Sequence, residues 1–350
     1  MAAIRTAFFG SDEIALPLLE TLRSTLQERV ELVGIWTQPD KARGRGMKFE
    51  PNGIKLWAES RGLDIHQPEK IGTADHEWLK ARGVELILVM AYGHILKNDL
   101  LALTQFPVLN FHASLLPQYR GASPINAAIA AGEVWSGVSL MQIVRKLDAG
   151  AVYGQELVPI EADDTAVALA GKLAQACVPL AVRVLPGILD GSTVAVPQDE
   201  TKVSFTRLLA REDALLDFHA PAQELVNRVR ALHPWPGAAA KLGEVLIKFG
   251  EVGLATRTDS ATASPPIPGT VLESSPQVGL RLATGTGGAL AIHSLQRPGG
   301  KMLAVKEFLR GYKIAEGSVF SSTPMKPLVQ STPFPRAVFK SPETGGSAAV

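Results

Sequence analysis

The first half of this chain is predicted to fold as an α/β domain around a doubly wound, mostly parallel sheet, and the second half as a small β-barrel domain. Three observations predict it. Up to about residue 190, short apolar runs alternate with segments whose apolar residues recur at helical spacing. After Gly191 the texture changes to short β-like runs separated by Gly and Pro. The chain has 350 residues, 46% apolar and 20% charged, enough for two or three domains with buried cores, which excludes a disordered or collagen-like chain. The expected division is an α/β domain over 1–190, a linker over 191–209, a β domain over 210–315 and a Pro-, Ser- and Gly-rich tail over 316–350.

Residues 4–9 form an apolar strand stopped by Gly10-Ser11-Asp12. Ile14, Leu18, Leu19, Leu22 and Leu26 then share a helical face over 13–26, with Ser11 or Asp12 as the N-cap. A strand over 30–36 leads into a long polar loop, and 57–60 lies in a helical stretch. The continuous apolar run 86–91 reads as a strand covered on both faces. Residues 108–111, 138–144 and 152–160 are further strands, with a helix over 124–131. Residues 165–189 are mostly helical, opened by Asp163-Asp164-Thr165 with acids at the positive end; Pro179 and Pro186 are candidates to kink or divide the helix. This alternation is the pattern of a Rossmann-like sheet.

In the second half, β-like runs at 246–252, 269–273, 279–283 and 289–295 are broken by short helices near 222–232 and 305–310, an OB-like pattern. The glycine cluster at 285–288 reads as a hairpin turn. From Glu316 onward Ser, Thr, Pro and Gly crowd, so the end of the chain is expected to be extended or disordered and is assigned no function.

The net charge of +1 hides an asymmetry. Positions 1–200 hold 18 basic and 23 acidic residues, and positions 201–350 hold 17 and 11, which hints at a polyanionic partner for the second half. A single cysteine, Cys177, excludes an intramolecular disulfide, and no Cys/His cluster has zinc spacing, so no metal is expected. No leader is visible before the first strand, and no stretch approaches the ~20 apolar residues of a membrane span. The expectation is a cytoplasmic protein that is not inserted in a membrane.

Phe9-Gly10-Ser11-Asp12-Glu13 has one glycine where a dinucleotide fingerprint needs three, and no Gly-x4-Gly-Lys-Ser/Thr loop occurs. The informative stretch is Leu109-Asn110-Phe111-His112-Ala113-Ser114-Leu115-Leu116-Pro117. Period-two alternation sends the Asn110 and His112 side chains to one side of a strand, so an amide donor and an imidazole converge. Residue types alone leave a structural Asn–His pair equally open. Asp148, in Leu147-Asp148-Ala149-Gly150, is by itself a turn residue.

Together these segments resemble the folate-dependent formyltransferases. Asn110, His112 and Asp148 match the order and spacing of that family's catalytic trio, and Ser114–Pro117 and Arg120-Gly121-Ala122-Ser123-Pro124 are similar to its flanking runs. Thr37-Gln38-Pro39-Asp40 with Gly44-Arg45-Gly46, then Asp199-Glu200-Thr201, Pro234-Trp235-Pro236-Gly237 and Gln296-Arg297-Pro298-Gly299-Gly300-Lys301, resemble the branch whose acceptor is the methionine amine of charged initiator tRNA. The likeness runs over about residues 4–315. It implies formyl transfer from 10-formyltetrahydrofolate, with no serine or cysteine nucleophile, so Cys177 is read as core. It gives Asn110 and His112 the role of donors to an oxyanion, and Asp148 that of partner in proton relay. It implies folate contacts from Ser114, Leu115, Leu116, Pro117, Met90 and Tyr92. It turns the basic loop of Lys41, Arg43, Arg45 and Lys48 into an arm on the tRNA, with Lys301 on the second domain. Arg228, Arg230, Lys241, Lys248, Lys306 and Arg310 are further phosphate-contact candidates. A small amine, on a nucleotide sugar or glycinamide ribonucleotide, is the alternative acceptor. Nothing in the sequence demands more than a monomer.

Overall fold

The structure, a computed structural model, describes residues 2–43, 48–255 and 265–335. The first domain is built on a seven-stranded sheet. In chain order its strands are β1 (Ile4–Gly10), β2 (Val30–Trp36), β5 (Asp64–His66), β6 (Leu86–Met90), β7 (Leu109–His112), β9 (Trp135–Gln142) and β10 (Val152–Pro159). Their spatial order is β10-β9-β7-β6-β1-β2-β5. The pairs from β7 to β5 are parallel, and β9 is antiparallel to both β7 and β10. Alternation divides β6 cleanly. Leu86, Leu88 and Met90 enter the core under helices α1 (Leu16–Arg23) and α6 (Ala166–Leu189), while Ile87 and Val89 enter the opposite core with Phe9, Trp36 and Tyr92.

Asp12 is the cap that the first helical segment uses: its side chain accepts from the Ile14 N–H at 3.0 Å and opens a 3₁₀ turn (Glu13–Ala15) ahead of α1. In α6, Pro179 and Pro186 sit inside one continuous helix of 24 residues, so neither divides it. Eleven of its residues are buried, Leu169 to Ile188 among them, and that packing outweighs the hydrogen bond each proline removes. The same helix corrects the reading that no stretch is long and apolar enough to cross a membrane. By length and composition α6 is, yet it packs on β9, β10 and α1 as the core helix of this domain. Burial pushes the Cys177 thiol in α6 up to about 12, so it stays a neutral core side chain.

The second domain has two four-stranded antiparallel sheets around one core. One is β12 (Ala239–Leu242), β13 (Val245–Phe249), β18 (Ser294–Gln296) and β19 (Leu303–Ala304); the other is β14 (Val252–Ala255), β17 (Ala289–Ile292), β16 (Gly279–Ala283) and β15 (Val271–Ser275). The turn joining β16 to β17 runs through Gly285, Gly287 and Gly288, with the Thr284 N–H donating to the Gly288 carbonyl at 3.0 Å. Helix α7 (Ala222–Ala231) packs on α5 (Pro124–Ala131) of the first domain, where Asn126 Nδ2 donates to the Ala231 carbonyl at 2.7 Å.

The largest departure concerns the end of the chain. Residues 316–330 belong to the fold. Phe320 is fully buried in the second core, the Ser321 N–H donates to the Lys241 carbonyl, and the Thr323 N–H donates to the Leu216 carbonyl. The segment then crosses to the first domain, where Leu328 is 4% exposed within the main core. β20 (Val329–Gln330) pairs with β11 (Phe205–Thr206), which pairs with β8 (Arg120–Gly121). Two widely spaced apolar anchors hold a polar strap whose average composition conceals them. Residues 336–350 of the proposed tail lie outside the described residues.

Candidate active site

Asn110 and His112 stand on β7, whose other face is anchored by Leu109 and Phe111 in the main core. Both point to the opposite face, as the alternation requires. On that face their direct neighbours across β9 are Met141 and Ser139. β9 runs opposite to β7, so the turn after it starts beside Val108, whose carbonyl accepts from the Ile143 N–H. It then folds back to bring Asp148 Oδ2 to 3.9 Å from His112 Nδ1.

One hydrogen bond fixes the tautomer of His112. Nε2 lies 3.1 Å from the Tyr119 carbonyl. A carbonyl can only accept, so Nε2 carries a hydrogen and Nδ1 is the nitrogen left to exchange a proton. The Asp148 carboxylate faces Nδ1 beyond hydrogen-bond length, close enough to stabilise charge there. The carboxylate is itself held, because Oδ2 accepts from the Gly121 N–H at 2.8 Å. Two non-glycine residues in this chain of contacts, Tyr119 at φ 60° and Asp148 at φ 45°, are left-handed, a strain that persists only where surrounding bonds impose it. Gly121, at φ 115°, has no room for a Cβ, which would sit 2.3 Å from the Thr206 carbonyl oxygen.

Ser114, Leu115, Leu116 and Pro117 lie across β9 and β10. The Leu116 N–H donates to Ser139 Oγ at 3.0 Å, Ser139 Oγ donates to the Ser114 carbonyl at 2.6 Å, and Gln155 Nε2 donates to the Leu116 carbonyl at 2.9 Å. Leu115 fills the space that a side chain on Gly137 would need. Gly137, Ser139 and Gln155 are therefore supports that the sequence reading missed. The available signal was small residues at alternate positions of β9, which leave room for a chain segment on that face.

Met90 and Tyr92 are not free to present side chains to a ligand. Met90 points into the main core, with Cys177 Sγ 3.8 Å from its sulfur, and Tyr92 stacks edge-on against Phe9 in the opposite core. What the Tyr92 position offers is its carbonyl, which accepts from Ser11 Oγ and Gln38 Nε2 at 3.2 and 3.0 Å. A run buried on both faces shows no alternation, so the facing of its residues could not be read from sequence.

The expected basic loop is a two-stranded hairpin, β3 (Lys41–Arg43) with β4 (Lys48–Glu50), in which Arg43 pairs with Lys48. Arg45 lies outside the described residues. The base of the hairpin is clamped. Lys55 Nζ and Gln67 Nε2 donate to the Asp40 carboxylate at 2.7 and 2.8 Å, and these bonds, Gln67 first, hold the carboxyl below its usual range. Asn52 Nδ2 donates to Thr37 Oγ1 at 2.9 Å. Lys41 is exposed and reaches the Gln38 carboxamide. Lys301 is exposed beside the turn between β18 and β19.

Two of the other candidate phosphate contacts are committed elsewhere. Arg228 is 5% exposed and pairs with Asp213, which also takes a bidentate Arg207. Arg230 donates to the Glu161 and Asp164 carbonyls of the first domain. Among the described residues no group of three or more His, Cys, Asp or Glu could hold a metal ion.

Comparison with known proteins adds a family context to this geometry. The profile of the family described as formyl transferase matches residues 4–185, and that of the formyl transferase C-terminal domain matches 208–313. The methionyl-tRNA formyltransferase of Halorhodospira halophila is 37% identical over 315 residues, 90% of this chain and 98% of that protein. The methionyl-tRNA formyltransferase of Gluconobacter oxydans is 38% identical over 318 residues, 90% of this chain and 99% of its own. Among solved structures, the N-formyltransferase of Helicobacter canadensis, in complex with folinic acid and dTDP-3-aminofucose, superposes with a TM-score of 0.61 at 17% identity, over 85% of this chain and 100% of that one. HypX of Aquifex aeolicus, in complex with tetrahydrofolic acid, gives 0.57 at 18% identity over 92% of this chain and 51% of that one. At such identities the two structures speak for the fold.

Proposed function

The chain belongs to the formyl transferase family, and on that premise we propose that it transfers the formyl group of 10-formyltetrahydrofolate to the amino group of methionine on charged initiator tRNA. One observation carries the mechanism: an amide donor and an imidazole with one proton fixed share one face of β7, and a held carboxylate on the turn after β9 faces that imidazole. Attack of the amine on the formyl carbon makes a tetrahedral oxyanion. Asn110 Nδ2 donates to that oxygen, where one well-placed donor is worth about 3 kcal/mol. The Tyr119 carbonyl engages the Nε2–H of His112, so this residue serves as base instead of the second oxyanion donor that the resemblance implied: Nδ1 takes the proton that the attacking amine sheds, and the Asp148 carboxylate stabilises the imidazolium. The bond to the folate nitrogen then breaks and that nitrogen receives the proton, so the imidazole ends as it began. Ser114–Pro117, fixed by Ser139 and Gln155, forms one wall of the folate slot, and the chain at Tyr92, fixed by Ser11 and Gln38, lines another.

The β3–β4 hairpin and the basic second domain favour tRNA over a small amine, because an amino-sugar acceptor needs neither. Arg45, between Gly44 and Gly46 in the sequence, is assigned to the acceptor end of the tRNA, with Lys41, Arg43, Lys48 and Lys301 as further cationic contacts. The bonds that hold His112 and Asp148 all lie within this chain, so the site needs no residue from a second copy, and a tRNA acceptor places the reaction beside translation in the cytoplasm. The test is an acceptor assay with purified protein and 10-formyltetrahydrofolate. Charged initiator tRNA should be formylated far faster than elongator tRNA or an amino sugar nucleotide; preference for the small amine refutes the reading. Arg45→Ala should raise the KM for tRNA, reduce the slope of log affinity against log salt by about one, and leave folate binding unchanged. An unchanged tRNA KM would return Arg45 to a solvated surface role.

A further inference from the structure

The turn that carries Asp148 is held from outside the catalytic strands. Gln198 lies in the segment that joins the two domains. Its Nε2 donates to two carbonyls of this turn, those of Asp148 at 2.8 Å and Gly150 at 2.7 Å. Its Oε1 is in turn fixed by Arg120, whose Nε and Nη2 donate to it at 3.1 and 2.7 Å. Arg120 is fully buried and cannot swing away, and Nη2 also donates to Glu200 at 2.9 Å. Arg120 and Lys146 hold the Glu200 carboxyl down at about 2, so that partner stays charged at neutral pH.

A carboxamide that spans two carbonyls two residues apart fixes the plane of the turn as well as its distance. The turn needs this, because Asp148 is a non-glycine residue at φ 45° and the adjoining Gly150 approaches the Gln142 carbonyl too closely to admit any Cβ. The neighbouring backbone serves the same centre. The Tyr119 N–H donates to Ser204 Oγ at 2.9 Å and the Arg120 N–H to the Ser204 carbonyl at 2.8 Å, and these set the Tyr119 carbonyl that orients His112.

We propose that Gln198 is a positioning residue for formyl transfer: its carboxamide, locked by Arg120, holds the Asp148–Gly150 turn in the conformation that sets the Asp148 carboxylate against His112. The proposal rests on the formyl-transfer reading above. It makes the segment between the domains part of the active site, although both family profiles leave it out. Gln198 touches no reacting atom, so its loss acts through the geometry of Asp148, where a displacement of about 1 Å can cost up to about a hundredfold in rate.

The experiment compares three variants with wild type under saturating 10-formyltetrahydrofolate and charged initiator tRNA. Gln198→Met keeps the length and removes every hydrogen bond. Gln198→Glu keeps the acceptor that Arg120 needs and removes the donor that the turn needs. Asp199→Ala perturbs the same segment, where Asp199 caps the next turn, without touching the carboxamide. Both Gln198 variants should lose about tenfold or more in kcat, with KM for each substrate within about twofold and with Gln198→Glu no better than Gln198→Met. Asp199→Ala should keep wild-type kcat. Wild-type kcat in Gln198→Glu, or an equal kcat loss in Asp199→Ala, overturns the proposal, since the segment would then be simply structural. Inactivity of the wild type itself would instead reject the formyl-transfer reading.

Discussion

Asn110→Ala should lower kcat by a factor of about 10²–10³ while the folded protein remains. Asn110 sits half-buried in β7, between Val89 of β6 and Met141 of β9, so alanine keeps the strand and its pairings. The loss should appear in kcat and kcat/KM alike, because an oxyanion donor acts where charge develops and not on the ground-state substrates. Asp148 needs a subtler substitution. Alanine there would remove the charge and would also force a residue that disfavours left-handed backbone into φ 45°. Asparagine tolerates that conformation and keeps an oxygen for the Gly121 N–H, so Asp148→Asn isolates the charge. A wild-type rate in Asn110→Ala or in Asp148→Asn would remove that residue from the mechanism. A rate lost in Asp148→Ala but kept in Asp148→Asn would mean that the carboxylate serves the backbone of the turn and not the proton.

The parts of this site that were legible in the sequence are those set by local periodicity. Asn110 and His112 lie two residues apart on a strand, so their shared face follows from the pleat alone. The α/β alternation was legible for the same reason, with each core stripe repeating at the period of its own element. The supports that hold the Asp148 turn and the buried cations were hidden, because each is made by polar residues far away in sequence. Gln198 is a lone glutamine in a polar segment, and nothing beside it marks the two carbonyls it holds 48 and 50 residues upstream. Arg228, by charge alone, reads as a phosphate contact. Only tertiary packing shows that it shares the buried Asp213 carboxylate with Arg207, which makes it part of an internal ion cluster. Composition misled most at the end of the chain, where averaging over Ser and Pro hides single anchors.

Phe320→Ala should destabilise the protein by about 3–5 kcal/mol in denaturant unfolding, the usual cost of emptying a fully buried aromatic site. The ring lies against Phe218 and Phe249, with centroids 6.2 and 5.6 Å away, and the backbone on either side is pinned by bonds to Gly269 and Lys241. Collapse into the cavity is therefore limited, which favours the upper part of the range. A solvated tail residue at the same position would cost less than about 0.5 kcal/mol, so the two readings are separated by far more than experimental error. Leu328→Ala provides the second arm, at about 2–5 kcal/mol, because it empties a site in the first domain while Phe320→Ala empties one in the second. If the strap ties the domains into one cooperative unit, each substitution should lower the same single transition. If each domain unfolds alone, Phe320→Ala should shift the transition of the second domain and Leu328→Ala that of the first. Either pattern is incompatible with a chain whose structure ends near residue 315.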